Sequence, residues 1–121
     1  MFVVEDDQQI IELYRVILGT YRYEFVGFAL NGKEAVEALE AMDPRPDIII
    51  MDQRIPLMNG IEVTKEIMRI DPGAKVLFVS ADIKCRECAL SSGAADFVLK
   101  PFGIEDFVTR LKILSGRSAS R

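Results

Sequence analysis

A doubly wound α/β fold is the class this sequence predicts: one parallel sheet of five strands, order 2-1-3-4-5, with helices on both faces. Three observations predict it. Strand-like and helix-like segments alternate along the 121 residues, five of each, which is the pattern of βαβ units. The strand-like runs are short and rich in Val, Ile and Phe, as strands covered on both faces are. Four of the runs end on charged or hydroxyl side chains, and in an open sheet of this kind the carboxyl ends of the strands form the ligand-binding rim. Right-handed crossovers leave few strand orders, and 2-1-3-4-5 fits best.

The first strand is read at residues 2–4. It is brief, which suggests that a few residues have been trimmed ahead of it. Ile10, Leu13, Tyr14, Ile17 and Leu18 then recur at helical spacing, and Gly19 stands where a carboxyl cap belongs. A second strand is expected at residues 23–30. Asn31 can cap the second helix, whose apolar positions are Ala35, Val36, Leu39 and Met42, before Pro44 and Pro46 end it. The third strand spans residues 48–51 and the third helix 61–70. Residues 76–80 form the fourth strand, about 83–92 the fourth helix, 97–99 the fifth strand and 104–114 the fifth helix. Gly73 and Gly93 fall in the turns before the last two strands. One domain is expected over 1–115, with 116–121 a polar tail or the start of a linker.

Composition narrows the function. Half the residues are apolar and 28% charged, with a net charge of −4, so the chain is globular and lacks the basic stripe of a nucleic-acid surface. No apolar run approaches the ~20 residues of a membrane span. Glu5, Asp6 and Asp7 arrive where a secretory signal needs basic residues, and the expected compartment is the cytoplasm. Cys85 and Cys88 form a CxxC. Zinc would need four ligands, and the chain has no histidine and no second cysteine pair. A redox dithiol would sit at the start of the helix after an early strand. This pair comes late, inside "DIKCRECALSSG", and reads as helix body without shared chemistry.

The strand ends carry the chemistry. Strand one ends in Glu5-Asp6, strand three in Asp52, strand four in Ser80 and strand five in Lys100. Taken singly, Asp52 could merely cap a turn, and the acidic run could open a helix, where negative charge is favourable. Jointly they bring three carboxylates, a hydroxyl and an ammonium to one rim. Crowded carboxylates repel, and Mg2+ suits a partial cage of carboxylates, a backbone carbonyl and waters. Such a site can stabilise a phosphoryl group passing onto Asp52, a side-chain type that carries phosphoryl covalently.

Four motifs, in order, share one source. "VVEDD", "MDQRIPLMNG", "VLFVSA" and "GAADFVLKPF" together resemble the two-component response regulator receiver domain, of flavodoxin-like (βα)5 fold, along essentially the whole chain. That resemblance implies that Asp52 accepts a phosphoryl group from a sensor histidine kinase. It implies Mg2+ held by Glu5, Asp6, Asp52 and the backbone carbonyl of Arg54, with Lys100 on one phosphate oxygen and Ser80 on another. It also implies a cis Lys100-Pro101 peptide, and a switch in which Ser80 moves toward the phosphate and Phe97 turns inward. The changed face would be that of the fourth helix, fifth strand and fifth helix. The output would be a downstream effector protein or a C-terminal output domain absent from this chain, with a homodimer as an option. Such a domain is not an enzyme: it catalyses only its own phosphorylation and dephosphorylation. Three departures stand out. Phe97 lacks a tyrosine hydroxyl, Arg54 and Asp82 occupy positions that tune hydrolysis, and residues 80–93 run about two short, which predicts a late or poorly formed fourth helix. The rivals are a non-phosphorylated interaction module, a phosphohydrolase, which would want a second Asp where Arg54 stands, and a nucleotide or flavin binder, for which no glycine-rich loop is present.

Overall fold

The computed structural model describes residues 1–55 and 57–116. Along the chain come β1 (Phe2–Val4), α1 (Gln8–Thr20), β2 (Gly27–Ala29), α2 (Gly32–Ala41), β3 (Ile48–Asp52), α3 (Gly60–Ile70) and β4 (Lys75–Ser80). A 3-10 turn at Ile83–Cys85 then leads into α4 (Arg86–Ser91), β5 (Asp96–Leu99) and α5 (Ile104–Ser115). All strand pairs are parallel and the order is β2-β1-β3-β4-β5, as the alternation predicts.

The period of two in each strand divides the core into two layers. Val4, Ile49, Met51, Phe78 and Phe97 face α2, α3 and α4, meeting Ala35, Leu39, Val63, Ile67 and Ala89. Val3, Ile48, Ile50, Leu77 and Val79 face α1 and α5, meeting Ile11, Tyr14, Phe107 and Leu111. Burying one such side chain is worth about 1.5–3 kcal/mol, so a charge within β3 would be costly. The first position at which one is tolerated is its last, Asp52.

Three local expectations need correction. The second strand shrinks from 23–30 to three residues, because β2 is an edge strand and its one partner, β1, offers only Phe2, Val3 and Val4. Gly19 does not end α1. The helix runs on to Thr20, and the left-handed residue is Arg22 at φ 63°. The Tyr23 amide donates to the Leu18 carbonyl at 2.8 Å and the Arg22 amide to that of Gly19 at 3.1 Å, a Schellman closure. The cysteine pair is not helix body: Cys85 closes the 3-10 turn and Cys88 lies in the first turn of α4. The late start of α4, by contrast, is as expected. Of the tail at 116–121 only Gly116 is described, as the left-handed cap of α5; the rest lies outside the described residues.

Candidate functional site

The loop that follows Asp52 is pinned by backbone. The Gln53 amide donates to the Val79 carbonyl at 3.1 Å, and the Gly60 amide to the Gln53 carbonyl at 2.9 Å. Gly60 passes so close beneath β3 that a Cβ there would stand 2.6 Å from the Asp52 carbonyl oxygen, so only glycine permits the approach. On the other side, the Lys100 amide donates to the Ser80 carbonyl at 2.7 Å, locking the ends of β4 and β5 together. The Lys100-Pro101 peptide is cis.

These bonds place the side chains that the sequence singles out. The Lys100 ammonium lies 2.8 Å from Asp52 Oδ1, and the Arg54 amide donates to Asp52 Oδ2 at 3.2 Å. Glu5 is 2% exposed. Its Oε2 accepts from the Asp7 amide at 3.1 Å, while its Oε1 is a buried atom without a hydrogen-bond partner, Lys100 Nζ being 4.0 Å away. Burial pushes the Glu5 carboxyl up to about 7, the carboxylates of Asp52 and Asp6 adding to the effect while the Asp7 amide and Lys100 oppose it. Asp7 itself caps α1 through the Gln9 amide.

Among the described residues, Glu5, Asp6 and Asp52 each offer an oxygen within 4.8 Å of the others. An orphaned, buried carboxylate oxygen beside two more carboxylates is the donor set a hard divalent cation fits. Arg54 lines the same cleft, with Gln53, Ser80, Asp82 and Lys100.

Ser80 is 2% exposed, and its hydroxyl is engaged by Gln53 and Asp82. It donates to Gln53 Oε1 and accepts from the Asp82 amide at 2.9 Å. The place of Gln53 in this cleft was not legible in the sequence, since a glutamine in a polar loop carries no periodic signal. Phe97 sits below the cleft, 4% exposed and stacked on Phe78 at 6.1 Å between ring centroids. Cys85 and Cys88 are free thiols, the first half-buried and the second exposed.

An acidic trio, a paired lysine and a buried hydroxyl at the ends of β1, β3, β4 and β5 meet at one rim, and residues 1–112 match the family described as "Response regulator receiver domain". The chain belongs to that family. It is 40% identical over 104 residues to the chemotaxis protein CheY of Thermotoga maritima, covering 84% of this chain and 85% of that one. Against the probable transcriptional regulatory protein TcrX of Mycobacterium tuberculosis it is 32% identical, over 98% of this chain but only 50% of the relative, so the chain spans half the length of that regulator. Among solved structures it resembles the CheX-CheY-BeF3-Mg+2 complex from Borrelia burgdorferi, with TM-score 0.88 and 26% identity over 94% of this chain and 87% of that chain. Residues 1–112 are thus the receiver domain of a two-component response regulator, in keeping with phosphorylation-dependent signalling. Among the described residues, no helix is long and apolar enough to cross a membrane.

Proposed function

We propose that this receiver takes a phosphoryl group from a sensor histidine kinase onto Asp52 and signals through the face of α4, β5 and α5. The observation that carries the reading is Asp52 itself: a carboxylate ion-paired to Lys100 at 2.8 Å, with an oxygen within 4.8 Å of oxygens of Glu5 and Asp6. Glu5, Asp6, Asp52 and the Arg54 carbonyl would hold Mg2+, which supplies the positive charge that lets an anionic phosphoryl group approach three carboxylates. An Asp52 oxygen attacks phosphorus in line; the P–O bond forms as the P–N bond to the donor histidine breaks, and the imidazole leaves. Lys100 then pairs with a phosphoryl oxygen, and Ser80 donates its proton to another. The added charge favours one of two arrangements of the α4 face, with Ser80 and Phe97 as the switch pair.

The chain turns over no separate substrate; it serves as acceptor and as catalyst of its own dephosphorylation. The partner beyond the kinase is a downstream effector protein or an attached output domain, with a homodimer as the alternative assembly and no direct nucleic-acid contact from this domain. With a kinase and magnesium as requirements, the working compartment is the cytoplasm. Intact mass after incubation with Mg2+ and acetyl phosphate tests the reading. One phosphoryl group should appear in the wild type and be absent in Asp52→Asn or after chelation. Equal labelling of the variant would refute it.

A further inference from the structure

The side chain after the acceptor has a place of its own. Gln53 is half-buried in the cleft and uses both ends of its amide: Oε1 accepts the Ser80 hydroxyl proton, and Nε2 donates to Cys85 Sγ at the end of the 3-10 turn. A serine hydroxyl has one proton to give. Its oxygen is already engaged by the Asp82 amide, and the other acceptor within reach, the Asp82 carbonyl, is a weak 3.4 Å away. Ser80 therefore cannot serve Gln53 and a phosphoryl oxygen together.

We infer that Gln53 is a positioning residue, a latch that holds the Ser80 proton away from Asp52 until a phosphoryl group competes for it. The same amide ties Ser80 to the entry of α4 through Cys85, so the competition is felt where the helix begins. With Phe97 already packed on Phe78, this polar link is a route from the acceptor to α4 that needs no ring rotation. The inference rests on the reading of Asp52 as acceptor and assigns Gln53 a role within it.

Binding of beryllofluoride in Mg2+, followed by amide resonances, separates the two ideas. Gln53→Met keeps the length of the side chain and removes the competing acceptor. It should tighten beryllofluoride binding about fivefold, the usual net worth of one hydrogen bond. The Asp82 amide of the unliganded variant should also move toward its liganded position. In a Ser80→Ala background, Gln53→Met should change nothing, because the proton in dispute is gone. A merely structural role would not produce that dependence on Ser80. Unchanged affinity in Gln53→Met, or the same gain with and without Ser80, would overturn the latch while leaving Asp52 as acceptor. Failure of the wild type to bind beryllofluoride would instead overturn the acceptor reading, and the latch with it.

Discussion

The helices α3 and α4 lie on the same face of the sheet and follow β3 and β4, the strands that end in Asp52 and Ser80, yet they are built differently. In α3 there are eleven residues, opened by Asn59, whose side chain accepts the Glu62 amide at 3.0 Å and donates to the Glu62 carboxylate at 2.8 Å. It buries Val63, Thr64 and Ile67. By contrast α4 has six residues, no side-chain cap and a single buried residue, Ala89. Helices gain their stability mainly from a buried face, so α3 is a fixed wall behind Asp52 and α4 is the element with little to lose by moving. Segments that respond to ligands come from the low-stability end of a structure. The rigid side holds Asp52, and in the proposed function the loose side is the one that expresses the change.

The rigid side should show itself first through Glu5. Its carboxyl is raised from 4.5 to about 7, so the folded chain holds a proton that the unfolded chain has lost between those values. The stabilising contribution is complete below about pH 4.5 and is lost as pH rises through 7, a fall of about 3 kcal/mol. Urea unfolding across pH should show that fall without Mg2+, and Glu5→Gln should flatten it. A wild-type curve parallel to that of the variant would mean Glu5 is not strained. Next comes Gly60→Ala, whose new Cβ meets backbone rather than a pliable side chain. A loss of roughly 2–3 kcal/mol is expected in the same measurement, and an unaffected midpoint would show that the wall gives way. Removing the cap of α3 with Asn59→Ala should cost about 1 kcal/mol. At the corresponding position of α4, Cys85→Ala should change stability by less than about 0.5 kcal/mol. If the two substitutions cost the same, the contrast between the helices fails.

The readable parts of this sequence are those where burial leaves no choice. A charge cannot sit inside a strand covered on both faces, so Asp52 and Lys100 had to mark the strand ends, and the glycine at 60 follows Asp52 at the spacing its loop requires. What was not readable depends on neighbours. The length of β2 is set by the three residues of β1 beside it, and the left-handed turn after α1 falls on Arg22 because Tyr23 must drop into the core beside Leu18. The contacts of Gln53 emerge only when Ser80 and Cys85, distant in the chain, are brought to its two ends.

The most direct test of a fixed wall and a movable helix is hydrogen exchange with and without beryllofluoride and Mg2+. Changes concentrated in residues 80–93, with residues 60–70 slow and unaltered in both states, are the result this account predicts. Equal changes in the two segments, or protection gained in 60–70 while 80–93 stays constant, would contradict it.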